Sequence, residues 1–413
     1  MTEDEQINTE SKIIKSIEKQ RLYYLDWLRI LAIFMVFVYH TLRIFGQNNE
    51  IVNDPNYVLP AEVIEWLILP FGMPLFFIIS GMSVFYGVEY MKKKGIAKIT
   101  FIKERTLRLF VPYLIAILTY LSIIVALFRT VEGSYTLQYS IYDPRNYINF
   151  YFTDYFSLEN LQIILTGWHL WFLLILLIFN LILYKYFTSK VFNNNLQNKN
   201  QVNKETKNSR NIFLLLIPFY LIEIVNPFGL TTLPRVGGWD TVNFFLFFFL
   251  GFRFAYNGNF QQKLEKAIKP ALIIGNTTLI LRVLEFFLFF NGIFKYRLYN
   301  ANYYLYWALF VVNGWSMMIV ILYYFSKFLN RDHKYRKKLN EIVMPFYILH
   351  YIVLNVVATY ALVFFDSYPM IAIVRIIVIL GLSFIIIVGL CLLIAKIKVL
   401  RPIFGMRMQS RKS

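Results

Sequence analysis

The sequence predicts an all-α polytopic membrane protein of about ten transmembrane helices, with both termini in the cytoplasm. Of its 413 residues, 58% are hydrophobic and only 16% are charged, whereas soluble domains contain roughly 45–50% and 25%. The hydrophobic residues form blocks of about 20, which suffice for a helix to cross a bilayer core of ~30 Å. The blocks lack the alternation of barrel strands, so helices are the structure that satisfies their backbone in lipid.

Ten hydrophobic blocks mark the predicted spans. They cover roughly residues 27–46, 63–86, 109–129, 166–187, 212–225, 241–256, 270–290, 303–328, 342–362 and 371–397. The fifth and sixth blocks are short for a full crossing, so interrupted helices or a re-entrant pair are the alternatives there.

The charges of the loops alternate along the chain and predict the orientation. Four basic residues precede the first span, whereas the next loop, residues 47–62, contains three acidic residues and no basic one. Positive loops stay in the cytoplasm, which places both termini inside. The net charge is +18, from 42 Lys and Arg against 24 Asp and Glu. Because this excess lies in the loops, it indicates topology in a plasma membrane rather than binding of nucleic acid.

One membrane domain accounts for most of the chain. We expect a cytoplasmic N-terminal segment at residues 1–26, the membrane domain at 27–397 and a basic cytoplasmic tail at 398–413. Residues 190–211, rich in Asn, Lys and Gln, are predicted to be a disordered cytoplasmic linker. The single cysteine, Cys391, excludes an intrachain disulfide and a cysteine-based metal cluster.

The first span carries an arginine and a histidine on one face. Arg29 and His40 are eleven residues apart, which places them within roughly 20° around a helix and ~16 Å apart along it. Asp26 and Arg29 are predicted at the cytoplasmic mouth and His40 in the outer half. Ionisable groups inside a span usually mark function, so His40 is the leading catalytic candidate. The alternative is a histidine that only packs, beside an arginine that snorkels.

Two further motifs lie in the second predicted span and directly before the third. Arg105 and Arg108 lie one turn apart on a helix face, and such a pair suits phosphate oxygens, although a topology signal is the alternative. Ser80 and Gly81 in the second span indicate a close helix contact.

Other polar residues lie in later spans. His169 and Trp171 are predicted at the outer end of the fourth span, where tryptophan is common, and His350 lies near the middle of the ninth. Arg282 and Glu285, one turn apart, are expected to neutralise one another. The sequence has no HExxH, Walker or GxSxG motif and no cluster of metal ligands, so no bound metal or cofactor is expected.

These segments resemble the acyltransferase 3 family of membrane O-acyltransferases. The resemblance covers about residues 21 to 360 and is specific as a set. The residues that carry it are Arg29-x10-His40, Phe-Phe-x-x-Ser80-Gly81, Arg105-x-x-Arg108 with the following Pro-Tyr, and the blocks at 24–29, 169–173 and 345–350. The three blocks look most like the glucan biosynthesis protein C branch, the periplasmic glucan succinyltransferases.

The resemblance implies transfer of an acyl group from cytoplasmic acetyl-CoA or succinyl-CoA to a hydroxyl of a carbohydrate outside the membrane. His40 would be the general base or a transient acyl carrier, with Arg29 and Asp26 on the same helix. Arg105 and Arg108 would hold the donor, while Ser80, His169, Trp171 and His350 are accessory or acceptor-side candidates. A transporter or flippase for a glycan or lipid-linked substrate is the competing interpretation, since carriers share midplane charges and broken helices.

Overall fold

The computed structural model describes residues 23–47, 51–131, 144–193, 212–225, 237–257, 260–292, 299–368 and 370–407. Residues 1–22 of the predicted N-terminal segment, 194–211 of the predicted linker and 408–413 of the predicted tail lie outside these ranges.

Helices form nearly all of the described chain, and no strand occurs within it. They are α1 Tyr23–Arg43, α2 Leu59–Ile68, α3 Gly72–Lys93, α4 Lys98–Leu118, α5 Tyr120–Val131, α6 Pro144–Phe150, α7 Leu161–Thr166, α8 Trp171–Phe192, α9 Leu216–Val225, α10 Thr241–Asn257, α11 Phe260–Phe290, α12 Ala301–Phe328, α13 Arg336–Ser367, α14 Ala372–Lys396 and α15 Leu400–Ile403. The predicted all-α membrane fold is therefore confirmed.

Each of the ten predicted spans coincides with a helix or a helix pair. Seven helical segments in the described residues are long and apolar enough to cross a membrane, and the α4–α5 pair, bent by 45°, makes an eighth. The segment 212–225 and the 17-residue helix α10 are shorter, as expected for the fifth and sixth blocks. The number of crossings therefore remains a prediction.

The close contact predicted at Ser80 and Gly81 is present between α3 and α10. A Cβ atom on Gly81 would overlap the carbonyl oxygen of Phe248, and one on Gly251 would overlap that of Ile78. Lipid supplies no hydrophobic force between helices, so close packing at small residues stabilises the pair. Around this contact the core is aromatic: Phe77 stacks on Phe244 with 4.6 Å between ring centroids.

The pair of charges predicted in the seventh span is also neutralised. Arg282 Nη1 donates to Glu285 Oε2 at 2.6 Å, and both side chains are almost fully buried. The guanidinium of Arg282 also lies 4.7 Å from the ring centroid of Trp66 and 5.2 Å from that of Tyr306. Aromatic faces and a carboxylate thus offset the loss of water around this cation.

Helices α1 and α13 lie side by side and run in the same direction. An ion pair between Asp26 and Arg336 joins their first turns. Farther along, the rings of His40 and His350 lie 5.5 Å apart. The candidate site lies at two positions along this parallel helix pair: the charged end with Asp26 and Arg336, and the level of His40 and His350.

Candidate active site

Three histidines from three separate helical segments meet in one layer. The ring centroid of His350 in α13 lies 5.5 Å from those of both His40 in α1 and His169 at the start of α8. His169 is 6% exposed and His350 is fully buried, whereas His40 is half-buried. We call these three residues the histidine layer. His40 is therefore the most accessible member of the layer.

The hydrogen bonds of the two buried histidines define their tautomers. His350 Nδ1 donates to the carbonyl oxygen of Tyr347 at 2.6 Å, and His169 Nε2 donates to that of Ile348 at 3.2 Å. A carbonyl only accepts, so these nitrogens carry the protons and the other ring nitrogens are bases. Within the described structure, His350 Nε2 and His169 Nδ1 are buried and have no hydrogen-bond partner. Leaving a buried polar atom unsatisfied costs about 1–3 kcal/mol, so these two nitrogens are candidates for a functional role.

A left-handed turn places His169 in the layer. Gly167 has φ 71° and Trp168 has φ 50°, conformations that residues with a Cβ rarely adopt. A Cβ atom on Gly167 would lie 2.5 Å from the ring of Tyr113, and the Tyr113 hydroxyl donates to the Leu165 carbonyl at 2.5 Å. Only glycine fits this turn, and the strain at Trp168 marks a position that the surrounding structure imposes.

Tyrosines and a tryptophan fix the rings of the layer. The His169 ring stacks on the Tyr351 ring at 4.7 Å, and the Tyr351 hydroxyl accepts from Trp168 Nε1 at 2.9 Å. The Tyr347 hydroxyl donates to the His169 carbonyl at 2.6 Å. Bonds with α13 therefore hold the His169 carbonyl, the His169 ring and the side chain of Trp168, which pre-organises the layer.

A second group of polar residues lies at the other end of α1. Asp26 is buried and accepts from Arg29 Nη1 at 2.9 Å and from Arg336. Arg29 also donates through Nη2 to the hydroxyl of Ser83 in α3. Asp26 and Arg29 lie roughly 21 Å and 16 Å from His40 along the helix. The structure thus separates these two predicted site residues from the histidine layer.

Arg105 and Arg108 join this group from α4. Arg105 Nη2 lies 3.5 Å from the Ser83 carbonyl oxygen, and both arginines interact electrostatically with each other and with Arg29. Among the described residues no carboxylate lies within ion-pair distance of Arg105 or Arg108. We call Arg29, Arg105 and Arg108 the arginine cluster. These three residues therefore lie together at one end of α1 and α4 in the structure.

The family comparison matches most of the chain. The model of a family described as an acyltransferase domain matches residues 22–395, which include the arginine cluster and the histidine layer. The chain belongs to this acyltransferase family. No curated protein and no solved structure matches it.

The remaining predicted site residues of the acyltransferase lie in different surroundings. Trp171 is buried, and its ring packs 5.4 Å from that of Phe244, so it belongs to the aromatic core. Ser80 lies in α3 at the contact with α10, and Ser83, one turn farther, is the hydroxyl that contacts Arg29. Within the described residues, no group of three His, Cys, Asp or Glu has the arrangement of a metal site.

Sequence reasoning missed four residues of the acyltransferase site. Ser83, Arg336 and Tyr347 hydrogen-bond to predicted residues and the Tyr351 ring packs on His40 and His169, but none of the four stands in a motif of its own. The block Pro345–His350 carries the only local signal. It resembles the family, and its spacing places Tyr347 one helical turn before His350. The partners of Asp26 and His40 on α13 are more than 300 residues away in sequence.

Proposed function

We propose that this protein is a membrane O-acyltransferase that moves an acyl group from cytoplasmic acyl-CoA to a hydroxyl of an extracytoplasmic carbohydrate. The observation that supports this most strongly is the histidine layer, in a chain of an acyltransferase family. Three imidazoles converge, two of them hold buried basic nitrogens that no described residue bonds to, and the third, of His40, is only half-buried. Such a layer supplies bases for a hydroxyl proton.

The arginine cluster supports the donor half of the proposal. Two guanidiniums that have no carboxylate partner among the described residues lie next to that of Arg29 and form a field that favours phosphate groups. Loop charges predict that this end of α1 faces the cytoplasm, where acyl-CoA is present. The ~16 Å between Arg29 and His40 is a distance that the pantetheine arm of CoA spans when its phosphates bind the arginines.

The chemistry requires an acyl exchange at the thioester and passage of the hydroxyl proton to the CoA sulfur. In the direct route, an imidazole takes the hydroxyl proton, the hydroxyl oxygen bonds to the thioester carbon, and the carbon–sulfur bond breaks. The proton then leaves on the CoA thiol. In the alternative route, a His40 nitrogen first accepts the acyl group and CoA thiol departs, after which the acceptor hydroxyl attacks and returns a proton to the imidazole.

The resemblance offers candidates for the acceptor and the acyl group but fixes neither. The glucan biosynthesis protein C branch favours succinyl transfer to a periplasmic glucan, and acetyl transfer to a surface polysaccharide or lipid-linked sugar is the other outcome. A transporter or flippase is the competing function, favoured by the short helical segment 212–225. Residence in the plasma membrane suits either function.

One assay separates these functions. Purified protein in nanodiscs is given acetyl-CoA or succinyl-CoA with extracted envelope glycan, and free CoA thiol is measured with and without glycan. Glycan-dependent thiol release and a matching mass increase of the glycan are expected. A protein that carries labelled glycan across proteoliposomes, and releases no thiol with either donor, would be a transporter.

A further inference from the structure

The chain turns back at its C-terminal end and adds an arginine to the arginine cluster. Residues Leu400–Arg407, which we call the C-terminal hook, follow α14 and lie beyond the region that the family model matches. From its contacts we infer that Arg407 binds a phosphate of the acyl-CoA donor. This inference rests on the proposed function and names a residue that the family match does not assign.

A buried arginine holds the hook in shape. Arg401 donates from Nη1 to the Ala395 carbonyl at 2.8 Å and from Nε to the Arg407 carbonyl at 3.0 Å. Its third contact is an ion pair with Glu341 in α13. Arg401 is only 4% exposed, so this guanidinium serves the hook itself and does not face a ligand.

A second set of contacts seats the hook on α4. Arg108 Nε donates to the Gly405 carbonyl at 3.0 Å. Gly405 has φ 68°, and a Cβ atom there would lie 2.8 Å from Met344 Cγ and 3.0 Å from the Arg108 carbonyl oxygen. Glycine permits this close approach. The hook is therefore a built structure that packs against one member of the arginine cluster.

The side chain of Arg407 remains available. Its backbone carbonyl bonds to Arg401, while its side chain is exposed. Its charge acts on both Arg105 and Arg108, and Glu104 partly offsets the charges of these two arginines. Four like charges repel one another, so an anion with several phosphates is the ligand that would stabilise the assembly. CoA carries a diphosphate and a 3′-phosphate, which match that requirement.

Binding of CoA itself tests the inference without any turnover. Calorimetry on protein in phosphatidylcholine nanodiscs gives the affinity of CoA for the wild type, Arg407→Gln and Lys398→Gln. Lys398 is exposed and precedes the hook, so it controls for the loss of one positive charge. We expect Arg407→Gln to weaken CoA binding about tenfold or more, Arg407→Lys to recover part of it, and Lys398→Gln to leave it unchanged.

Additional measurements exclude a structural role and a lipid ligand. Because the Arg407 side chain makes none of the hook's bonds, Arg407→Gln should retain its thermal midpoint, whereas Arg401→Gln should lower both midpoint and CoA affinity. In an acyl-transfer assay, Arg407→Gln should raise the KM for the acyl-CoA donor and retain kcat. If Arg407→Gln binds CoA with normal affinity but retains less anionic lipid than the wild type, the inference is overturned and Arg407 belongs to a lipid site. If wild-type protein binds no CoA, the donor proposal fails as well.

Discussion

Asp26 and Arg336 form a buried ion pair, and each stands fourteen residues before a histidine of the site. Because α1 and α13 run in parallel, equal spacing brings His40 and His350 to the same height, about 21 Å from the pair. Their rings lie 5.5 Å apart there. The ion pair thus fixes the register of α1 against α13, the two helices that carry His40 and His350.

Removal of the Asp26 charge should therefore destabilise the protein, although Asp26 lies at the charged end of α1 and about 21 Å from the histidine layer. Asp26→Asn leaves the buried Arg336 without its buried carboxylate partner, and breaking such a pair costs about 3–5 kcal/mol. We expect a lower thermal midpoint and weaker transfer activity. Asp332→Asn is the matched control, since Asp332 accepts from the same arginine at 2.8 Å but is exposed. Equal midpoints for both variants would contradict the register role.

The left-handed turn before His169 predicts a contrast between two glycines. Gly167→Ala must place a Cβ against Tyr113 at φ 71°, which costs about 1–2 kcal/mol in backbone conformation alone. Gly389→Ala is the control, because its Cβ would meet nothing within 4 Å in a helix. Thermal unfolding in detergent should show a loss for Gly167→Ala and no loss for Gly389→Ala. A stable Gly167→Ala protein would mean that the turn relaxes without strain.

The alternation of loop charges predicts the sides of the membrane. Reporter fusions after Asn49 and after Asn200 should report opposite sides, because the first follows one predicted span and the second follows four. A reporter that is active only outside the cytoplasm, paired with one active only inside, gives this measurement. Activity on the same side for both fusions would refute the orientation of the first four spans.

Arg105 and Arg108 should contribute to donor affinity. The double change to Gln removes two guanidiniums that have no carboxylate partner among the described residues, so we expect CoA to bind about a hundredfold more weakly. The affinity of the double variant should also depend less on salt. Lys337→Gln with Lys338→Gln, an exposed pair, is the control for net charge. If both doubles bind CoA equally, Arg105 and Arg108 are topology signals only.

How much of this site the sequence predicts depends on the distance of each contact along the chain. Helical periodicity places Arg29 and His40 on one face of α1, and a turn links Arg105 to Arg108; both relations are local. The partnership of Asp26 with Arg336 spans 310 residues, and that of Asp54 with Arg375 spans 321. Such contacts depend on the order in which helices pack, which periodicity does not encode.

Side-chain surroundings set a second limit on prediction. Trp171 matches the pattern of an interfacial tryptophan. It is nevertheless buried against Phe244, because it is the first residue of α8, after the turn at Gly167, and packs into the aromatic core there. Ser83 lies one turn after the motif residue Ser80 and carries the contact with Arg29. A hydroxyl on a helix becomes a site residue through its neighbours, and a single sequence gives its helix position but not its neighbours.

His40 should be required for chemistry rather than for folding. It is the half-buried member of the histidine layer, while His169 and His350 are buried. His40→Gln keeps a similar size and some hydrogen bonding but removes the base, so acyl transfer should fall roughly 10²–10⁴-fold. The variant should remain monodisperse and bind CoA with wild-type affinity, because the arginine cluster lies ~16 Å away. Thiol release and glycan mass measure the loss.

The other histidines give this prediction its controls. His333→Gln changes an exposed histidine in the loop before α13 and should leave transfer intact. His350→Gln removes the Nδ1 bond to the Tyr347 carbonyl and the buried Nε2 base together, so it should lower both stability and rate. Near-normal turnover by His40→Gln, with a large rate loss in His350→Gln at equal stability, would transfer the role of base from His40 to His350. An unfolded His40→Gln protein would instead make His40 a packing residue.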